Sequence, residues 1–221
     1  MEAIVQQFFN VEIMAKALPL VLTGLWTTLL ICIVVVPIGL VGGVLVATAS
    51  LSPRATLRRM VKLLADIFRA LPPLVLLIMV YSGLPFAGIR LPPLAAVSIA
   101  FFLNNSAYYG EIFRAGIESV PPGQWEAAHS TGLSATQTFL WVVLPQGVRN
   151  VLPDLVSNTI EVVKLTSLAS VVSMPEMLYS ADMARSLTFN ASPIVLAAAI
   201  YLALLWPAVR FVSRLEHTVS R

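Results

Sequence analysis

Five long apolar segments dominate the pattern of hydrophobic and polar positions along this chain. They cover about residues 18–49, 63–84, 92–113, 146–173 and 194–212. A bilayer hydrocarbon core of roughly 30 Å is crossed by about 20 helical residues, so each segment is long enough to span it. The pattern therefore predicts an all-α integral membrane protein with five transmembrane helices, forming one domain over residues 1–221.

The composition agrees with this class and removes several others. Hydrophobic residues make up 58% of the chain and charged residues only 11%, against roughly 25% charged in soluble domains. Cys32 is the only cysteine, and His129 and His217 are isolated. An intrachain disulfide is therefore excluded, and we expect neither a metal site nor nucleic-acid binding. Residues 1–17 lack the pattern of a cleaved signal peptide.

The distribution of positive charge predicts the topology. Four basic residues follow the first apolar segment directly: Arg54, Arg58, Arg59 and Lys62. Short cytoplasmic loops carry an excess of Lys and Arg, so this loop is predicted to be cytoplasmic and the N-terminus to lie outside. The loop of residues 114–145 and the C-terminus then fall inside. Three arginines near the C-terminus agree with that assignment: Arg210, Arg214 and Arg221.

The longest polar interval predicts a helix, a break and a second helix on the cytoplasmic side. The sequence Pro121-Pro122-Gly123 resets the backbone, and we expect a helix over Glu126–Leu133. Gly132 suits a left-handed helix end. Ser134 and Gln137 have the spacing of a capping box, which predicts a new helix start. Pro145 suits the first turn of the following helix. Such a unit presents a rigid knob outside the bilayer.

These same residues carry a family resemblance. The spaced pattern of Glu126, Ala127, Ala128, Gly132, Leu144 and Pro145 resembles the EAA loop of the transmembrane subunits of ABC-type importers, with Val142 in place of the usual isoleucine. The flanking residues 105–108, 111–117 and 122–128 resemble the permeases for polar amino acids of the histidine, glutamine, glutamate and opine type. The likeness runs from about residue 68 to residue 178.

The resemblance implies a type I importer permease bundle that couples to a motor protein. Glu126 would orient or pair with a groove of the ATPase, Ala127 and Ala128 would permit close approach, and Gly132 would set the turn; the simpler reading of Glu126 is a solvated helix residue. A phosphate-binding loop needs glycine before its lysine. The residues that precede the three lysines are Ala15, Val61 and Val163. We therefore expect no cofactor in this chain, with ATP and magnesium on a separate ATPase dimer.

Two further partners are expected, the first from the resemblance and the second from the number of spans. A soluble solute-binding protein would dock on the external segment of residues 174–192, which is polar enough for a short surface helix. Five spans are few for enclosing a pathway, so a second permease, identical or paralogous, should complete it. The bacterial inner membrane is the expected location.

A second constellation lies on the predicted spans. In the fourth span a polar stripe shares one helix face. It consists of Asp154, Ser157, Asn158, Glu161 and Lys164. Asn104, Tyr108 and Glu111 share a face of the third span in the same way. Charges at this depth are usually paired or face a pore. Two interpretations stay open: the stripes border a substrate path, or Glu161 and Lys164 only neutralise each other at a helix–helix seam.

The sequence thus favours the membrane subunit of an ATP-driven, binding-protein-dependent importer for polar amino acids or opines, working by alternating access. An ion-gradient-driven secondary transporter or channel that relays ions through Glu111, Glu161 and Lys164 is the alternative. An enzyme is disfavoured, because no nucleophile–base pair can be assembled. Two departures from related permeases leave the substrate open: Leu165 replaces a frequent acidic residue, and Ala70-Leu71-Pro72 replaces a frequent Gly-Thr-Pro.

Overall fold

A computed structural model describes the backbone of residues 1–219 and the side chains of residues 1–214, and Arg221 lies outside this part. The described residues form helices joined by short turns, without a strand. The α-helices are α1 (Glu2–Phe8), α2 (Val11–Ser50), α3 (Ala55–Ala70), α4 (Pro73–Ile78), α5 (Pro93–Glu118), α6 (Pro122–Ser130), α7 (Ala135–Thr138), α8 (Leu144–Asn150), α9 (Leu152–Leu165), α10 (Met177–Thr188) and α11 (Ser192–Val219). The prediction of an all-α fold is confirmed.

The long apolar helices only partly reproduce the predicted spans. Helix α2 has 40 residues, about 60 Å of helix, and starts before the predicted residue 18. Within residues 1–219, three helical stretches are long and apolar enough to cross a membrane, namely Glu2–Ser50, Leu152–Val172 and Ser192–Arg214. Helix α5 is not among them, because its polar residues dilute its apolar character. The count of five spans therefore stays a prediction.

The second predicted span is interrupted. The predicted span over residues 63–84 is not one continuous helix, because α3 ends at Ala70 and α4 begins at Pro73. Proline has no N–H to donate and clashes with the preceding turn, so Pro72 and Pro73 stop the helix. Helix α4 continues as a π-helical turn, Met79–Gly83, and a 3-10 turn, Leu84–Ala87. If this interrupted pair counts as one broken span, the described residues hold up to four spans.

The chain forms two compact units. The first unit consists of Met1–Val36, Pro73–Phe101 and Ile160–Arg210, and the second of Pro37–Pro72, Phe102–Thr159 and the residues from Phe211 onward. Glycines let α2 approach α5 closely in the second unit. A Cβ atom built on Gly43 would lie 2.4 Å from Cβ of Tyr109, and one on Gly39 would lie 3.3 Å from Cβ of Asn105. This spaced glycine pair therefore packs inside the chain.

The first unit is built around α10, which packs on α2 and α11. The shared apolar cluster consists of Ala17, Val21, Met177, Ala181, Ala184 and Ala197. A short helix in the segment of residues 174–192 was predicted, and α10 confirms it. The segment is more than a surface loop, however, because one side of α10 is buried.

Glu176 anchors the start of α10. This side chain is fully buried, and its carboxylate accepts hydrogen bonds from the backbone N–H groups of Leu178 at 2.9 Å and Tyr179 at 2.6 Å. The hydroxyl of Tyr201 lies 3.5 Å from Oε2. Burial raises the pKa of the Glu176 carboxyl above its ordinary value, and the hydrogen bonds only partly oppose this rise. Glu176 therefore serves as an internal helix cap, not as an exposed docking charge.

The glycine contact gives a testable prediction for the second unit. We expect Gly43→Ala to lower stability by about 1–3 kcal/mol, because the new methyl group overlaps Tyr109 in a packed interior. Gly83→Ala is the matched control, since no atom lies within 4 Å of a Cβ there. The measurement is the thermal unfolding midpoint of both variants in one detergent. Equal midpoints for the two variants would contradict the close helix contact.

Candidate coupling loop and substrate path

Helix α6 exposes part of the EAA sequence at the protein surface. It spans Pro122–Ser130, so it starts and ends earlier than the predicted Glu126–Leu133. Glu126 and Ala127 are exposed, whereas Ala128 is 7% exposed and packs inward. No ion pair involves Glu126 among the described residues. The helix therefore offers one carboxylate and one small side chain on the same accessible edge.

The turn after α6 has the predicted chemistry. Gly132 has a φ of +85°, in the left-handed region that glycine tolerates best. The N–H of Leu133 bonds the carbonyl of Ala128 at 3.3 Å, which closes the helix end. A capping box then starts α7: the N–H of Gln137 bonds Oγ of Ser134 at 3.3 Å, and the N–H of Ser134 bonds Oε1 of Gln137 at 2.9 Å.

The second arm of the loop is a continuous helical run. Helix α7 passes through a π-helical turn, Phe139–Val143, directly into α8. Pro145 lies in the first turn of α8, as predicted. The side chain of Gln146 donates to the carbonyl of Val142 at 2.8 Å and to Oε1 of Gln124 at 3.2 Å. This amide therefore ties the second arm to α6, and the loop forms one connected body.

Two glycines join this body to α5. A Cβ atom on Gly147 would lie 2.9 Å from the carbonyl oxygen of Gly116, and a Cβ atom on Gly116 would lie 2.5 Å from that of Gly147. The backbones of α5 and α8 therefore touch directly. The Asn150 side chain adds a 2.8 Å hydrogen bond to Oγ of Ser119. Neither glycine was singled out from the sequence, because single glycines at this spacing form no recognisable motif.

A mostly apolar cavity of about 650 Å³ lies beside α6. Trp125 and Glu126 line it from α6, Phe139 from the π-helical turn, and Ile117 from the end of α5. The loop is thus not packed solidly against the rest of the second unit. Its firm connection to α5 is the glycine contact.

Asn104 and Tyr108 repair the break at the end of α3. In a continuous helix the carbonyls of Phe68 and Arg69 would accept from residues 72 and 73, but both are prolines. Instead, the Asn104 side-chain amide donates to the Phe68 carbonyl at 2.9 Å, and the Tyr108 hydroxyl donates to the Arg69 carbonyl at 3.2 Å. Oδ1 of Asn104 remains buried without a partner among the described residues.

Glu111 lies in an ion-pair group of the same unit. Arg114 bonds it in α5 and also bonds Glu118 at 2.5 Å. Glu111 and Arg114 line a polar pocket of about 240 Å³ together with Asp66 and Arg69 of α3, which pair at 2.6 Å. The structure thus brings Asn104, Tyr108 and Glu111 onto the side of α5 that faces α3.

The polar stripe of α9 divides between the units. Asn158, in the second unit, has a buried side-chain nitrogen without a partner among the described residues. In the first unit, Nζ of Lys164 lies 2.5 Å from Oε1 of Glu161, with the side chains 49% and 62% exposed. The pair exists as expected, but this chain does not bury it. Lys164 also borders an apolar cavity of about 510 Å³ that α11 lines through residues such as Tyr201 and Trp206.

The polar residues of the loop, of the break after α3 and of α9 are suited to binding a partner or a ligand. The described residues contain no cluster of three metal-binding side chains. What they offer is an exposed knob joined to a core helix, an interrupted helix with polar side chains at its end, and an accessible carboxylate–ammonium pair. Polar groups at interrupted helices are typical of transport proteins. The fold and these sites together define a helical subunit of a membrane transport system.

Comparison with known proteins gives the family. The model of the binding-protein-dependent transport system inner membrane component matches residues 39–221, and the chain belongs to this family. The chain is 38% identical to a probable amino-acid ABC transporter permease, YckA of Bacillus subtilis (strain 168), over 96% of this chain and 94% of the relative. It is 34% identical to the probable glutamine ABC transporter permease GlnP of the same organism, over 87% and 90%.

Solved structures agree with the assignment. A chain from the crystal structure of an amino acid ABC transporter with histidines has a TM-score of 0.83 and 32% identity, over 93% of this chain and 96% of that one. A chain of the inward-facing MetNI methionine ABC transporter, 20% identical, shares the fold with a TM-score of 0.75, over 92% and 98%. The prediction of a type I importer permease fold is confirmed, and so is that of a transport subunit instead of an enzyme.

The two caps of α3 should differ in their contribution to stability. Asn104→Leu leaves the Phe68 carbonyl unpaired at a site where Asn104 is 1% exposed, so we expect a loss of about 1–3 kcal/mol. Tyr108→Phe should cost less, because Tyr108 is 41% exposed and water can replace its hydroxyl. Thermal unfolding of both variants in nanodiscs measures the difference. A larger loss for Tyr108→Phe than for Asn104→Leu would contradict this account of the break.

Proposed function

We propose that this chain carries polar amino acids or related opines across the bacterial inner membrane, as a permease subunit driven by a separate ATPase dimer. The substrate class is supported by relatives that are named for amino acids, glutamine, L-cystine and arginine. The observation that carries the mechanism is the exposed helix α6, joined to a core helix through the Gly116–Gly147 contact. The ATP and its magnesium belong to the ATPase, so this chain needs no cofactor.

The coupling step uses the loop as a lever. Glu126 and Ala127 meet a groove of the ATPase, Ala128 seats α6 on its own unit, and Gly132 with Leu144 and Pro145 shapes the two arms. When the ATPase closes on ATP, it moves α6, and the second arm moves with it through Gln146. Because α8 touches α5 backbone to backbone, the displacement reaches the helix that carries Asn104, Tyr108 and Glu111.

Alternating access requires that each ligand prefers one conformation. ATP favours the closed motor, and a loaded solute-binding protein favours the outward-facing permease. Hydrolysis then returns the pair of permeases to the inward-facing state. A second permease, identical or paralogous, completes the pathway in two-fold or pseudo-two-fold pairing. The N-terminus lies outside and the loop of residues 114–145 in the cytoplasm, in accord with the basic residues after α2.

The substrate path is supported by polar groups whose hydrogen-bonding capacity is not used up. Asn104 keeps a buried acceptor oxygen, and the buried amide of Asn158 has no hydrogen bond of ordinary geometry among the described residues, with the Tyr109 hydroxyl as its nearby polar group. Tyr108 and Glu111 continue the polar side of α5. The Glu161 and Lys164 side chains suit the ammonium and carboxylate groups of an amino acid. Their exposure favours the path over a seam buried within this chain.

An ion-gradient-driven transporter is not favoured. The chain belongs to a family of binding-protein-dependent systems, and an ion relay would leave the exposed α6 without a partner. The charges needed for an ion relay are instead paired with each other, Glu111 with Arg114 and Glu161 with Lys164.

The first test concerns the motor. We expect a P-loop ATPase to co-purify with the tagged chain from its native membrane in mild detergent, and Glu126→Arg to abolish this by reversing the charge at the contact. Glu2→Arg is the matched control, because Glu2 is also an exposed helix residue. Mass spectrometry of the eluate identifies the ATPase and any second permease. A chain that elutes without an ATPase would support the ion-coupled alternative.

The second test concerns the path. Glu161→Gln should leave assembly intact but change uptake, or the stimulation of ATPase activity by loaded binding protein, at least about threefold, because it removes a charge that meets ligand. Glu12→Gln is the control, since Glu12 also forms an exposed ion pair, at 2.6 Å from Lys16. Unchanged kinetics in a well-assembled Glu161→Gln complex would remove this pair from the substrate path.

A further inference from the structure

The cavity beside α6 has the size of a small-molecule site. Its volume of about 650 Å³ falls within the roughly 300–1,000 Å³ that is usual for ligand sites of proteins. All of its lining residues belong to the second unit. The end of α2 and the turn after it, the end of α5, helix α6 and the π-helical turn before α8 all contribute to its walls.

Aromatic and aliphatic side chains form most of these walls. Trp125 and Phe139 contribute two rings, and Leu51, Ile117 and Val120 contribute aliphatic groups. Ile117 and Val120 are each only 4% exposed, so this part of the wall is held by the packed interior of the unit. A wall of this kind binds the apolar part of a ligand, because apolar surface leaves water on binding.

The cavity lies behind α6, on the side that this helix turns toward its own unit. Trp125 lines the cavity and comes three residues before the inward-packed Ala128, so both side chains lie on the same side of α6. Ala127 is exposed and does not line the cavity. The cavity is therefore separate from the outer edge of α6, where we propose the ATPase contact, and Glu126 borders both.

The charged residues that line the cavity, Glu118 and Glu126, are both acidic. Glu118 shares Arg114 with Glu111, so one guanidinium group serves two carboxylates. Glu126 forms no ion pair among the described residues. Arg58 donates to a backbone carbonyl of the wall at 3.0 Å, but its side chain does not line the cavity. The rim therefore carries negative charge that a cationic group would complement.

We propose that this cavity binds a small amphiphilic cation, a molecule with an aromatic or aliphatic body and an amine. The body contacts Trp125 and Phe139, and the ammonium group pairs with Glu126 and Glu118 at the rim. The acyl chain of a lipid would match the walls but would leave both carboxylates unused. The inference goes beyond the proposed function, because binding needs this chain alone.

Equilibrium dialysis of the full chain in nanodiscs measures this binding, with empty nanodiscs as the correction for uptake into lipid. The probes are naphthylmethylamine, a cation at neutral pH, and naphthylmethanol, its uncharged analogue. We expect saturable binding of the amine, at least about threefold tighter than that of the alcohol, because exposed charge pairs contribute factors of this size. Equal affinities for the two probes, or no more uptake than by empty nanodiscs, would overturn the proposal.

The charge preference should depend on Glu126. Glu126→Gln keeps the shape of the side chain and removes its charge, so we expect the preference for the amine to fall below about twofold. Glu2→Gln is the matched control, because Glu2 is also an exposed helix carboxylate and does not line the cavity. The same dialysis measures both variants. An unchanged preference in Glu126→Gln would contradict the pairing at the rim.

A filled cavity locates the site. Thr48 lines the cavity, and its hydroxyl donates to the carbonyl of Val44 at 2.9 Å within α2. Thr48→Phe places a ring where the ligand would lie, so we expect the affinity for the amine to fall at least about tenfold. Thr23→Phe is the control, since Thr23 makes the same kind of bond in α2, to Pro19 at 3.0 Å, and does not line the cavity. Equal affinities in these two variants would place the binding elsewhere and overturn the proposal.

Co-purification distinguishes this cavity from the ATPase contact. Thr48→Phe should still co-purify with the ATPase, because the outer edge of α6 is unchanged. If this variant loses the ATPase together with the amine, the cavity belongs to the ATPase contact and the proposal is wrong. If the parent chain binds the amine but no ATPase co-purifies with it, the cavity site stands and the importer function is wrong.

Discussion

Every backbone carbonyl at the depth of a membrane has to find a donor inside the protein, because lipid offers none. Pro72 and Pro73 remove two donors in succession at the end of α3, and the carbonyls of Phe68 and Arg69 depend on α5 instead. That dependence determines which side of α5 faces α3. It places Asn104 and Tyr108 at the break and leaves Tyr109 to pack against Gly43 of α2. The polar residues of α5 make it less apolar than an ordinary span. They are needed to satisfy the carbonyls at the break, whether or not they also line a substrate path.

The same helix connects the loop to the interior. At its far end α5 meets α8 through Gly116 and Gly147, while elsewhere the loop borders a cavity of about 650 Å³. The loop is therefore in close contact with α5 at α8, whereas a cavity separates α6 from part of the second unit. This contrast is what a moving part requires, since a loop packed on all sides could not shift and one without a firm contact could not transmit a shift. In the first unit, the buried Glu176 caps the start of α10, and Phe189 is exposed at the other end of this helix.

Local rules predicted the local features well. The left-handed Gly132, the capping box of Ser134 and Gln137, and Pro145 in a first turn all follow from neighbours within four residues. The spaced pattern around Glu126 also pointed to the family. Hydrophobic runs were less reliable, because the hydropathy of residues 63–84 does not show that one helix ends before Pro72 and another begins at Pro73. The caps at Asn104 and Tyr108 and the contact of Gly116 with Gly147 join residues more than 30 positions apart. Only the packing of helices brings such pairs together, so the hydrophobic pattern of the sequence cannot predict them.

The contact between α5 and α8 has a mechanical consequence. A side chain between two helices acts as a compliant spacer, because it can change rotamer and absorb a small displacement. Gly116 and Gly147 have no side chain to act as a spacer, so the backbones of α5 and α8 are in direct contact. The linkage between these helices is therefore stiff in compression, so a push on one backbone is passed to the other. The distance between the two backbones is set by the van der Waals radii of main-chain atoms, which do not depend on a rotamer, a ligand or the lipid.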